Sequence, residues 1–116
     1  MTIRRLKTYA SSQGYVYQYY FVGQRPAEEP DADEYVFDVT SDLKQTYPVQ
    51  VIVPRAVTSA WAKVHLRSLS DSEQYAAVKL RLFRAFDDIP NLQREGRQLR
   101  LDSTFLEESL ASLGVD

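Results

Sequence analysis

Hydrophobic residues alternate with polar ones through the first half of the chain and recur with a period of about 3.6 residues in the second. The densest run is Tyr15-Val16-Tyr17-Gln18-Tyr19-Tyr20-Phe21-Val22. Its β-branched and aromatic residues, bounded by Gly14 and Gly23, predict a strand. Glu34 to Thr40 predicts a second, with Tyr35, Phe37 and Val39 alternating. Thr46 to Val53 predicts a third, with Tyr47, Val49, Val51 and Val53 on one face. Ser41 to Gln45 supplies the turn between these two. Pro48 places the third strand at an edge or starts it just afterwards. Ile3 to Tyr9 predicts a short, weakly patterned strand ahead of a turn at Ser11 to Gly14. Gln24 to Asp33 holds two prolines and five charges with no apolar periodicity, so a solvated, mobile loop is expected there.

In the second half, Pro54 suits the first position of a helix, where its missing N–H costs nothing. Val57, Ala60, Trp61 and Val64 form the buried stripe expected of that helix, which ends near Leu66. Ser70-Asp71-Ser72-Glu73 matches a capping box. The helix it opens is expected to end by Asp88 and to bury Tyr75, Val78, Leu82, Phe83 and Phe86. Arg97 to Leu101 predicts a short strand. A last helix, capped by Asp102 or Ser103, carries Phe105, Leu106, Leu110 and Leu113, with Gly114 as its stop. Strands followed by helices predict the α+β class: an antiparallel sheet of about three to five strands, mostly N-terminal, covered by about two or three C-terminal helices. Residues 1–116 are expected to form a single domain.

Composition narrows the chemistry. The chain has no cysteine, so disulfides and cysteine-ligated metals are excluded. No apolar run is long enough to cross a bilayer, and the first seven residues lack the core of a signal peptide. A cytoplasmic protein without membrane contact is expected. The four glycines are isolated, so no phosphate-binding loop can be written. His65 is the only histidine. A general base is one reading; a helix-end histidine interacting with the dipole is the favoured one. The acidic pairs Glu28-Glu29, Asp87-Asp88 and Glu107-Glu108 are expected on solvated faces. No catalytic, cofactor-binding or metal-ligating residue is assigned.

Two surfaces are candidates for contact. The even-numbered strand face collects Val16, Tyr20, Val22, Val36 and Ile52, more apolar than a solvated sheet face should be. The first strand or the last helix should cover it, or else a second subunit, with Tyr20 as the anchor. The second candidate is basic. Arg55, Lys63 and Arg67 on the first long helix and Lys79, Arg81 and Arg84 on the second could meet phosphates, but the net charge of −2 does not favour nucleic acid. The leading expectation is a non-enzymatic module for protein–protein contact, as a homodimer or with another protein. The alternatives are a nucleic-acid-associated accessory protein using helices 55–67 and 79–84, and a small-ligand binder or enzyme with a Tyr- and Arg-lined pocket.

Overall fold

The computed structural model describes residues 6–116. Its elements run β1 (Lys7–Ala10), β2 (Val16–Pro26), β3 (Ala32–Thr40), β4 (Tyr47–Pro54), α1 (Arg55–His65), α2 (Asp71–Asp88), α3 (Leu92–Glu95), β5 (Gln98–Arg100) and α4 (Ser103–Ser112). The five strands lie in sequence order in one sheet. β1 to β4 are antiparallel, and β5 joins β4 in parallel. The parallel pair is possible because α1, α2 and α3 span the connection, long enough to return the chain to the same end. The α+β class therefore holds. The early part of the strand expected over residues 3–9 lies outside the described residues.

α2 carries the core. Ser70 Oγ accepts from the Glu73 N–H, and the Glu73 carboxylate accepts from the Ser70 N–H. Val78, Leu82 and Phe86 are fully buried, whereas Tyr75 and Phe83 remain half-buried at the rim of the stripe. Phe86 stacks on Tyr17 at 4.3 Å between ring centroids, and Phe83 stacks on Tyr9 at 4.6 Å. The odd-numbered face of the sheet is thus the face that the helices cover. Tyr17, Tyr19, Tyr35, Phe37, Val39, Val49, Val51 and Val53 form one cluster with Trp61, Leu82, Leu106 and Leu110 from the helices. The aromatic strand is core on that side.

Three local expectations are corrected. First, half of the segment Gln24 to Asp33 is strand. A bulge between Phe21 and Gly23 leaves Val22 without a cross-strand partner. The ladder then continues as Gln24 opposite Tyr35, Arg25 opposite Glu34 and Pro26 opposite Asp33. Opposite charges across the strands favour this extension. The turn shrinks to Ala27–Asp31. The Ala27 N–H donates to the Ala32 carbonyl at 2.9 Å, and Asp31 takes a positive φ of 58°.

Second, α1 buries only one residue of its expected stripe. Trp61 is 4% exposed, but Val57 is half-buried, Ala60 is exposed and Val64 is 75% exposed. The helix follows directly on β4 and packs on β4 and α4, and this leaves Ala60 and Val64 of its apolar stripe outside the core. Third, Pro54 is the residue before the helix rather than its first turn, in an extended conformation with ψ 135°. Pro48 sits within β4, but β5 pairs only with Gln50 to Ile52, so the proline lies outside that ladder.

Candidate functional site

Among the described residues, no helix layer lies on the even-numbered sheet face. Across the strands its rows read Gln18–Thr40, then Tyr20–Asp38–Pro48, then Gly23–Val36–Gln50–Gln98, then Arg25–Glu34–Ile52–Arg100. Apolar residues therefore stand singly among polar ones. Val36 and Ile52 are buried, while Val16 is 55% and Val22 39% exposed. Tyr20 is half-buried and donates its hydroxyl to Asp38 Oδ2 at 2.6 Å. The register brings Tyr20, Val36 and Ile52 onto neighbouring rows of one face. Val16 lies beyond the Gln18 row, and Val22 falls in the bulge.

Neither β1 nor α4 covers this face. β1 is the sheet edge, and α4 packs on α1 and α2. The β2–β3 turn folds over it instead. Arg100 Nη2 lies 2.5 Å from Glu29 Oε1, an ion pair that reaches from the turn to β5. Between turn and sheet is a groove of about 360 Å³ lined by Arg25, Ala27, Glu28, Glu29, Glu34, Gln50, Ile52 and Gln98. Glu34 is buried there and is ion-paired with Arg25. Of the groove's charged walls, Arg25, Glu34 and Glu29 are paired within the chain, and Glu28 has no ion pair among the described residues.

The basic candidates are mostly engaged. Arg55 pairs with Asp33 at 3.3 Å and Arg84 with Asp88 at 3.6 Å. Arg67 holds Glu73 in a two-pronged contact, both bonds 2.9 Å. That contact raises the arginine pKa and, with the Ser70 N–H, lowers the Glu73 carboxyl to about 2. Arg81 donates Nε–H to the Arg100 carbonyl, and burial, then Arg84, lowers its pKa. Lys79 lies 5.8 Å from both the Tyr75 and Phe83 rings, its pKa lowered by burial and then by Lys7. Lys63 is exposed and has no ion pair among the described residues.

A Tyr- and Arg-lined hollow does exist between α2 and α4. It holds about 490 Å³ and is lined by Tyr9, Phe83, Arg84, Asp87, Asp88 and Phe105, among others, but not by His65. It is a wide surface depression. Asp87, expected on a solvated face, instead anchors the edge of the sheet. It accepts from the Tyr9 hydroxyl at 2.8 Å and from the Ser12 N–H at 2.9 Å. Burial, then Asp87, pushes the Tyr9 phenol up, so it stays a protonated donor.

His65 lies at the end of α1. Its ring stacks on Trp61 at 4.1 Å, and Nε2 donates to the Glu107 carboxylate at 2.8 Å. The Arg67 guanidinium sits 5.1 Å from the Trp61 ring. The Glu107 side chain is 53% exposed, so this is a surface strut tying α1 to α4 and not an oriented base at the bottom of a pocket. His65→Ala is expected to lower stability by about 1 kcal/mol, the scale of an exposed pair plus a partial stack. Urea unfolding checks this; a loss above about 3 kcal/mol would place the histidine in the core instead.

Beside that strut, α1 and α4 leave a shallow apolar groove of about 120 Å³. Its walls are Val57, Ala60, Trp61, Val64, Ser103, Leu106 and Glu107. Trp61 Nε1–H is buried and meets no acceptor among the described residues. Leu66, just past the helix, is 90% exposed. The helical period in the sequence marks this stripe as apolar; that it would lie outside the core depends on where α1 leaves the sheet. Among the described residues no helix is long and apolar enough to cross a membrane, and no cluster of metal-ligating side chains is present. No protein-family model matches the chain, and no curated protein or solved structure shows significant similarity to it.

Proposed function

We propose that the protein is a non-enzymatic module of the cytoplasm that works by protein–protein contact, as a homodimer. The observation that carries this reading is the unburied apolar stripe of α1. Val64 and Leu66 are 75% and 90% exposed, next to half-buried Val57 and exposed Ala60. Val57 packs partly against the core, but Ala60, Val64 and Leu66 face solvent, and exposed apolar surface of this kind marks interaction sites. The engagement of Arg55, Arg67 and Arg84 with Asp33, Glu73 and Asp88 favours a protein partner over nucleic acid.

Sedimentation velocity over a range of micromolar concentrations tests the reading. The expected result is a species of twice the chain mass that dissociates on dilution. A monomer throughout, with binding to DNA or RNA that weakens steeply with salt, would replace it with a nucleic-acid role.

A further inference from the structure

We infer that the groove between α1 and α4 is a two-fold interface, occupied by the same groove of a second copy of this chain. The inference rests on the homodimer reading and names its surface. The groove has an apolar floor between helices of opposite charge. α1 carries Arg55, Lys63 and His65 and no acidic residue; α4 carries Glu107 and Glu108 and no basic one. Such a patch is complementary to itself. A two-fold rotation lays the basic helix of one copy along the acidic helix of the other, and does so twice.

The charges of the two helices fit this arrangement. Arg55 is held by Asp33, and Lys63 lacks an ion pair among the described residues. Glu107 is half-exposed even while it accepts from His65. Lys63 of one copy therefore meets Glu107 of the other. The groove alone is too shallow for a stable contact, which needs about 800 Å² from each partner. Leu66, just past the end of α1 and 90% exposed, adds apolar surface to that of Val64 on its wall. Leu66 takes a left-handed φ of 57° at the end of α1, a position that favours glycine, and yet presents a large apolar side chain to solvent.

The cross-pairing can be tested by mixing two variants, Lys63→Glu and Glu107→Lys. In a homodimer of either variant both contacts become like-charged. In the mixed dimer both contacts are again opposite-charged. Each variant alone is expected to dimerise at least about tenfold more weakly than the wild type by sedimentation, and the equimolar mixture to recover the wild-type mass. Val64→Glu, at a position 75% exposed and so harmless to folding, is expected to weaken the dimer without rescue by mixing. Circular dichroism confirms that each variant is folded. A wild-type dimer that all three variants leave intact would overturn the groove while sparing the homodimer, and Tyr20→Glu would then locate the contact on the sheet. Weakened variants that the mixture fails to rescue would overturn the two-fold pairing. A wild-type monomer would overturn both readings.

Discussion

Phe86→Ala is expected to destabilise the protein by about 3–5 kcal/mol, a large share of the roughly 5–15 kcal/mol that holds a domain folded. Phe86 is fully buried near the C-terminal end of α2. Its ring lies flat on Tyr17, 4.3 Å away and 9° from parallel, and sits within 5.8 Å of Tyr19 and 5.5 Å of Tyr9. Removing it deletes one of the contacts, with those of Phe83 and Asp87, that hold α2 against β1 and β2. Large rings already stacked in a packed core refill such a space only in part. The cavity term should therefore be near the upper end of its range. The same site holds the Gln13 side-chain amide on the Phe86 carbonyl and the Ser12 N–H on Asp87, so the 11–14 turn should loosen as well. Urea unfolding measures the loss. A change under about 1 kcal/mol would mean that the stripe is not the keystone of the core.

That α2 would carry the core is legible in the sequence, because one element satisfies several independent rules. Ser70 and Glu73 mark the start, Val78, Leu82 and Phe86 keep the period, and Ile89-Pro90 ends it. Agreement between cap, period and stop is what makes a local reading reliable. α1 has a period as clear, but its burial depends on something the sequence does not carry. The angle at which the chain leaves β4 decides whether Val57, Ala60 and Val64 face the sheet or overhang it. Amphipathicity says only that a face is apolar; it does not say whether the same chain covers it.

The β2–β3 hairpin shows the opposite error. Pro26, Pro30 and a run of acids look like loop, yet strand pairing continues to Pro26 opposite Asp33. The signal for it lies in the pairing of Arg25 with Glu34, nine residues apart, and in the one-residue bulge that brings them into register. Neither can be seen by scanning a single segment. The even-face patch is interrupted for the same reason. The alternation is correct in each strand, but the bulge removes Val22 from it, and the rows place Asp38, Gln50 and Arg100 beside Tyr20, Val36 and Ile52.

Alkaline unfolding should be steep and should begin just above pH 10. Tyr9, Tyr17, Tyr19, Tyr35, Tyr47 and Tyr75 all have phenols raised above the ordinary value of 10.0, and burial is the largest cause in each. Tyr47 is pushed up to about 12. A raised pKa means that the folded chain holds the proton more tightly than the unfolded chain does. The contribution of these groups is therefore complete below pH 10.0, where both states are protonated, and is lost as pH climbs toward about 12. Each fully withheld ionisation removes stability at about 1.4 kcal/mol per pH unit. Several acting together approach the whole stability of a domain, so ionisation and unfolding should become one cooperative event. Absorbance at the phenolate band and far-ultraviolet circular dichroism, followed in the same titration, should change together. Tyr47→Phe removes the most strongly shifted of these groups, so it should move the alkaline midpoint upward, provided that the loss of the hydroxyl leaves the packing intact. Tyrosines that all ionise near pH 10 while the circular dichroism stays native would show that solvent reaches the phenols in the folded protein, and that the aromatic face of β2 is not the closed core described here.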